Sequence, residues 1–281
     1  MDKTTKIQLK KTATLIRKGI ITAVASAGSG HPGGSLSLAD ILTFLYFKEM
    51  NIDPQNPKNP DRDRFVLSKG HCSPGLYSTL AHRGFFPVED LSTFRQADSY
   101  LEGHPNMDTV PGVDMSTGSL GQGISAAVGM ALAGKLDKKE YRVYSALGDG
   151  ELEEGQVWEA VMAAAHYKLD NLTAFVDYNG LQIDGNITDV MNPEPIADKF
   201  AAFGWNVISI NAHDFDEIEK AVEAAKAFKG KPTVIVAHSI KGKGVSYMEG
   251  QASWHGSAPK KEQADQALKE LDDYLSELEN N

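Results

Sequence analysis

Apolar positions along the chain alternate between helical spacing and short continuous runs. Ile7, Leu15, Ile16, Ile20 and Val24 recur at helical intervals and predict a helix over 7–27. Gly28-Ser29-Gly30-His31-Pro32-Gly33-Gly34 stops it, and Ser37 is placed to cap a second helix reaching residue 49. Residues 51–63, rich in Pro, Asn and Asp, predict a surface loop. A short strand over 65–67 leads into Ser68-Lys69-Gly70-His71. Residues 120–136 read as a helix of small residues. Strand 141–147, helix 155–168 and strand 172–177 then form one βαβ unit. Strands over 205–210 and 233–237 flank a helix over 214–228. The alternation predicts an α/β fold, a mostly parallel sheet with helices on both faces and right-handed connections. No repeat or low-complexity linker interrupts it, so 1–281 reads as a single domain. Residues 260–281 add an acidic helix and tail with Leu268, Leu271, Leu275 and Leu278 on one stripe, expected to pack on that domain.

Charge and cysteine content narrow the setting. There are 38 acidic against 28 basic residues, a net charge of −10. This argues against nucleic acid or an anionic membrane as partner, while a phosphorylated ligand needs only a local positive site. The single cysteine, Cys72, excludes an intramolecular disulfide and suggests a reducing compartment, with a packing role for the thiol. The first residues, MDKTTKIQLKK, lack a signal-type apolar region, and no run approaches the ~18 apolar residues of a membrane span. A cytoplasmic location is expected.

Ligands of an open parallel sheet bind beyond the carboxyl ends of its strands. Two apolar runs there deliver Asp149, within Gly148-Asp149-Gly150-Glu151-Leu152-Glu153-Glu154-Gly155, and Asn179, thirty residues on. A carboxylate and an amide oxygen are hard ligands suited to Mg²⁺ or Ca²⁺. Flanking glycines let backbone approach a phosphate, and the helix that follows aims free N–H groups at it. Four of the eight histidines, His31, His71, His104 and His255, sit beside glycine in such loops. They suit hydrogen bonding and proton transfer around an anionic, oxygen-rich ligand. His82 and His166 fall in helical stretches, and nothing around His213 or His238 marks a site. Zinc, P-loop and nucleophile-elbow motifs are missing, and no Gly-x-Gly-x-x-Gly turn follows a first strand, so a nicotinamide site is unsupported.

In order along the chain, Ser29-Gly30-His31-Pro32-Gly33-Gly34, Asp61-Arg62-Asp63-Arg64-Phe65, Ser68-Lys69-Gly70-His71, Gly103-His104-Pro105, Thr117-Gly118-Ser119-Leu120-Gly121-Gln122-Gly123, Gly148 to Gly155, Asp177-Tyr178-Asn179 with Ile183-Asp184-Gly185, and Trp254-His255-Gly256 resemble the transketolase family. The resemblance spans residues 29 to 256. It implies the thiamine diphosphate-binding fold and, in particular, its diphosphate-binding domain. Asp149 and Asn179 would give side-chain oxygens, and Leu181 its carbonyl, to Mg²⁺, with Ca²⁺ or Mn²⁺ as substitutes. His71 and His255 would donate to the diphosphate, beside Gly148, Gly150 and Ile183. Gly118 and Leu120 would touch the aminopyrimidine. His31, His104 and His255 would line the substrate channel, and Glu154 would join a carboxylate network between two active sites.

A family member is more than twice this length, and its second domain supplies the glutamate that activates the cofactor, the aromatic ring pocket and the arginines for substrate phosphate. The resemblance therefore implies the amino-terminal subunit of a split transketolase. It would work in a heterotetramer with a separate carboxyl-terminal subunit, moving a two-carbon ketol unit between sugar phosphates of the pentose phosphate type. Alternatives are a subunit of another thiamine diphosphate enzyme, such as a 1-deoxyxylulose-phosphate synthase or the alpha subunit of a 2-oxo acid dehydrogenase, and a non-catalytic binding subunit. The histidine set and the Thr117-Gly118-Ser119 loop favour transketolase.

Overall fold

The structure, a computed structural model, describes residues 1–280. Helix α1 (Lys3–Ala27) is capped by Asp2, whose carboxylate accepts the Thr5 N–H at 2.9 Å, and it ends at Gly28 with φ 58°. Ile16, Ile20 and Val24 are buried on it, whereas Leu15 faces solvent at 38% exposure. Helix α2 (Pro32–Phe44) starts five residues before the expected cap. Pro32 pre-sets the helical φ at the first turn, so Ser37 lies inside the helix. Its buried hydroxyl donates instead to the Asp177 carboxylate at 2.6 Å. A π-helical turn, Leu45–Glu49, carries the segment to its expected end.

Strand β1 (Arg64–Leu67) is followed by α3 (Ser73–Arg83), α4 (Gln122–Leu136), β2 (Val143–Gly148), α5 (Gly155–His166) and β3 (Leu172–Tyr178). A small antiparallel pair, β4 (Leu181–Gln182) with β5 (Gly185–Asn186), leads to α6 (Ile187–Val190) and α7 (Ile196–Ala202). Strand β6 (Asn206–Asn211), α8 (Phe215–Ala227), β7 (Thr233–His238) and α9 (Lys261–Glu279) complete the order. The main sheet runs β1-β2-β3-β7-β6, with every pair parallel. Gly148 is in register with Asp177, and Asp177 with Ala237, so the loops after β2, β3 and β7 leave one edge together.

Side-chain alternation along the strands divides the core. Phe65, Leu67, Tyr144, Ala146, Phe175 and Ile235 point to one face, under residues of α1, α2, α3 and α8. Val66, Val143, Leu147, Ala174, Val176 and Val234 point to the other, under α4, α5 and α7. Burial on both faces is why these strands read as near-continuous apolar runs rather than as an alternating pattern. A third cluster joins Ile16 and Ile20 of α1, Leu36 and Ala39 of α2, Val245 and Met248, and Ala264, Ala267 and Leu271 of α9. Full burial of a leucine such as Leu271 contributes roughly 1.5–3 kcal/mol, enough to dock a helix as acidic as α9. Among the described residues no helix is long and apolar enough to cross a membrane.

Candidate active site

The register of β2 and β3 brings the first acidic turn against the Asn179 turn. Asp149 Oδ1 accepts the Gly150 N–H at 2.9 Å; Oδ2 accepts the N–H groups of Asn179 at 2.9 Å and Gly180 at 2.7 Å. Asn179 Oδ1 accepts from the Leu181 N–H at 3.1 Å. These bonds fix both side chains before any ligand arrives. Burial, with Asp177 nearby, pushes the Asp149 carboxyl up to about 6, so the fold holds a carboxylate that gains from an adjacent cation.

That cation-seeking character is visible at Leu181. Its carbonyl oxygen accepts from the Lys241 ammonium at 2.9 Å, and the same ammonium lies 3.1 Å from His255 Nδ1. Burial lowers Lys241, while the Asp149 carboxylate counteracts this. Below it Lys69 is buried in an ion pair with Asp177, which also accepts the hydroxyls of Ser37 and Ser239. Burial alone would lower Lys69; the Asp177 carboxylate reverses the shift.

These groups line a cavity of about 430 Å³. His31, His71 and His255 share it, with ring centroids 5.1 to 5.4 Å apart. Gly148, Asp149 and Gly150 line it. Glu154, Asn179, Leu181 and Ile183 line it as well, as do Gly118 and Leu120. His104 stands outside, against Gly118, where an added Cβ would meet its ring at 3.2 Å, and it lines a separate cavity with Arg95. The rim is open: Glu154 is exposed and Ile183 is 67% exposed.

The imidazoles are held neutral. Burial first, then the Arg95 guanidinium, lowers His31 to about 4. Burial and the Lys241 ammonium lower His255 to about 3, and burial also lowers His71 and His104. Lys241 donates to His255 Nδ1, which leaves the ring proton of His255 on Nε2. Nδ1 of His31 is buried without a hydrogen-bond partner among the described residues.

Two residues that carry this site, Lys241 and Glu151, fall in loops the sequence places at the ligand edge, Lys241-Gly242-Lys243-Gly244 and the acidic turn, but nothing in the chain assigns either a role. Lys241 sits in a Gly-Lys-rich loop of the kind that normally stays in water. Glu151 is buried, and its carboxylate accepts from the Ser68 hydroxyl and from the N–H groups of Gly121 at 2.9 Å and Gly148 at 3.0 Å. It thereby ties three loops of the cavity together. The position of Gly33 explains the burial of Lys241. A Cβ there would meet the Trp254 carbonyl at 2.8 Å and Lys241 Cγ at 3.0 Å. Only glycine lets α2, the Lys241 loop and the His255 turn converge.

The donor set fits a metal–diphosphate group. One carboxylate, one amide oxygen and one carbonyl already drawn to an ammonium suit a hard divalent cation. Lys241 with neutral, donor-capable His71 and His255 suits a diphosphate.

Comparisons with known proteins agree. The family model for the transketolase thiamine diphosphate binding domain matches residues 8–273. The 6-deoxy-6-sulfo-D-fructose transketolase subunit SqwG of Clostridium sp. strain MSTE9 is 49% identical over 266 residues, covering 95% of this chain and 97% of that protein. One subunit of the apulose-4-phosphate transketolase of Phocaeicola vulgatus is 45% identical over 263 residues, covering 94% of this chain and 93% of that protein. Human transketolase is 44% identical over 264 residues, but these make up only 42% of its length. The crystal structure of transketolase from Campylobacter jejuni superposes with a TM-score of 0.85 at 36% identity, covering 97% of this chain and 48% of that one. The chain thus spans just under half of the solved transketolases and nearly all of the subunit-type relatives. It belongs to the transketolase family, as its thiamine diphosphate-binding domain.

Proposed function

We propose that this chain is the diphosphate-binding subunit of a split transketolase and that it forms active sites only with a separate carboxyl-terminal subunit, as a heterotetramer in the cytoplasm. The observation that carries the reading is the single cavity in which Asp149, Asn179, the Leu181 carbonyl, Lys241, His71 and His255 meet. Asp149, Asn179 and Leu181 would hold Mg²⁺, or Ca²⁺ or Mn²⁺ in its place. Lys241, His71 and His255 would hold the diphosphate, beside Gly148, Gly150 and Ile183. Gly118 and Leu120 would face the aminopyrimidine. Thiamine diphosphate, when bound, supplies the electron sink that lets a carbon–carbon bond beside a carbonyl break.

The chain's own part is binding, orientation and proton handling. His31, kept neutral, would take or return a substrate hydroxyl proton, with His104 and His255 alongside. Glu154 at the open rim would meet the partner copy. The exposed Ile183 and Met191 supply apolar surface on the segment after Asn179 for a neighbouring chain. The two subunit relatives are named for a sulfo-sugar and a sugar phosphate. The substrate class that follows is a ketose with an anionic terminal group, transferring its two-carbon ketol unit to an aldose phosphate.

The test is ketol transfer by this chain mixed with the carboxyl-terminal transketolase subunit, with thiamine diphosphate and Mg²⁺ saturating, alongside size-exclusion of each chain and the mixture. Activity confined to a larger complex supports the reading. A complex that forms, binds cofactor and transfers nothing from any anionic ketose makes this a binding subunit instead. Turnover with pyruvate as donor would move it to the 1-deoxyxylulose-phosphate synthase class.

A further inference from the structure

Lys241 reaches the cavity from the segment after β7, and two backbone groups flanking it are held by one network built on the buried Arg17–Asp40 pair. His213, in the loop between β6 and α8, accepts the Ile240 N–H on Nε2 at 2.9 Å. Arg17 of α1 donates from Nε to the Lys243 carbonyl at 3.0 Å. Asp40 of α2 joins the two. Its Oδ2 receives the Arg17 guanidinium at 2.6 Å and His213 Nδ1 at 2.7 Å, and its Oδ1 receives Arg17 at 3.1 Å. The Arg17 and Asp40 side chains are only 7% and 8% exposed, and His213 12%.

From this geometry we infer that Arg17, Asp40 and His213 are positioning residues for Lys241, clamping the residue before it and the residue two after it so that its ammonium stays in the diphosphate cavity.

The chemistry of the network makes the clamp directional. An N–H donated to His213 Nε2 leaves that nitrogen without a proton, so the ring proton is on Nδ1 and is given to Asp40. Burial alone would raise the Asp40 carboxyl; Arg17 and His213 hold it well below its ordinary range, so the acceptor remains charged. Each member is thereby fixed by another: the carboxylate sets the tautomer, and the tautomer presents an acceptor to Ile240. Arg17 is rigid and forked, so its Nε can reach Lys243 while its terminal nitrogens grip Asp40. The remaining ties of the segment agree with a fixed loop. Gly242 N–H donates to the Gly33 carbonyl at 3.0 Å, and Gly250 N–H to the Lys241 carbonyl at 2.9 Å. None of the three network residues lines the diphosphate cavity; they line a separate one of about 460 Å³ beside Leu271 and Tyr274 of α9. Their effect on the site therefore runs through the loop.

The inference rests on the reading of Lys241 as a diphosphate ligand, and the experiment separates the two. Amide hydrogen exchange is followed over residues 239–244, and calorimetry measures binding of inorganic diphosphate with Mg²⁺ to the full chain. His213→Ala should speed exchange at Ile240 and its neighbours and weaken diphosphate binding about tenfold, the scale of one lost hydrogen bond to a charged group, here Asp40. In a Lys241→Ala background His213→Ala should cause no further loss of affinity, because the ammonium it positions is gone. His213→Gln, whose amide oxygen can still accept from Ile240, should keep that amide protected and stay within about threefold of wild type by the same reasoning. If the alanine variant does not fold, the glutamine variant carries the test, and loss of protection at Ile240 with unchanged affinity there, or loss of affinity with protection kept, overturns the clamp. An affinity loss of equal size with and without Lys241 also overturns it, since a general weakening of the fold would act in both. Failure of the unaltered chain to bind diphosphate overturns the ligand assignment itself, and the clamp with it.

Discussion

The Asp149 carboxylate accepts the backbone N–H of Asn179 at 2.9 Å, across the carboxyl ends of two adjacent parallel strands. One Asp oxygen thus fixes the turn that carries Asn179, and the sheet register sets the spacing of the two proposed metal ligands. Each of the two carboxylate oxygens faces backbone donors. Asp149→Asn must therefore set its NH₂ group against an N–H in either orientation. We expect a loss of about 1–3 kcal/mol in stability from the unsatisfied donor. Mg²⁺-dependent binding of thiamine diphosphate should fall beyond calorimetric detection. Urea melts and titration of the same variant check both; unchanged binding would remove Asp149 from the ligand set.

Lys241 contributes in the opposite direction to stability and to binding. Burial disfavours its charge and the Asp149 carboxylate offsets this only in part, so the folded chain carries a cost that a bound anion would reduce. Lys241→Met should leave the melting temperature equal or higher, while diphosphate affinity drops by about tenfold or more, the worth of one desolvated charged contact. A variant that melts lower and binds equally well would refute this assignment.

Gly33→Ala sets two effects against each other. Within helix α2 alanine gains about 0.5–1 kcal/mol over glycine in backbone entropy. The new Cβ meets a backbone carbonyl at 2.8 Å, however, and overpacking of this kind costs about 1–3 kcal/mol. The steric effect should win, with net destabilisation and weaker diphosphate binding, because Lys241 is one of the displaced atoms. Thermal melts with and without Mg²⁺–thiamine diphosphate read both; a more stable variant with full affinity would show that the three loops do not depend on that contact.

The juxtaposition of Asp149 and Asn179 was legible in the sequence because it follows from strand ends. An apolar run that stops at Gly148 and another that stops before Asn179 place both side chains on one edge whatever the helices do. His31, His71 and His255 were legible as members of glycine-rich loops, and the cavity does gather them, whereas His104 stands one layer back behind Gly118. The Lys241-Gly242-Lys243-Gly244 loop was legible at the same edge, but the burial of Lys241 and the engagement of His213 could not be read this way. What buries Lys241 is the approach of Gly33, more than 200 positions earlier in the chain, and what engages His213 is Asp40, 173 residues away. Ser37 misled for a related reason. As a cap it fits the local pattern, but Pro32 starts the helix earlier and the hydroxyl is used by Asp177.

The depressed histidines give the chain a defined acid limb. His31 is held at about 4, below the value near 6.5 of an unfolded histidine. The unfolded chain therefore binds the proton first. Stability from this residue is complete above about pH 6.5 and is lost as pH falls from there towards about 4. Denaturant midpoints measured between pH 7.5 and 4.5 should fall less steeply for His31→Asn than for the unaltered chain. Parallel curves would mean that His31 titrates normally in the folded state.

The central claim is that the turn after β2 and the turn after β3 jointly hold a divalent metal on a diphosphate. Crystals grown with thiamine diphosphate and Mn²⁺ in place of Mg²⁺ test it most directly, through the anomalous signal of the metal. The account predicts one strong peak coordinated by Asp149, Asn179 and the Leu181 carbonyl, with diphosphate oxygens completing the shell. A peak elsewhere, or bound thiamine diphosphate whose metal touches neither Asp149 nor Asn179, would contradict it.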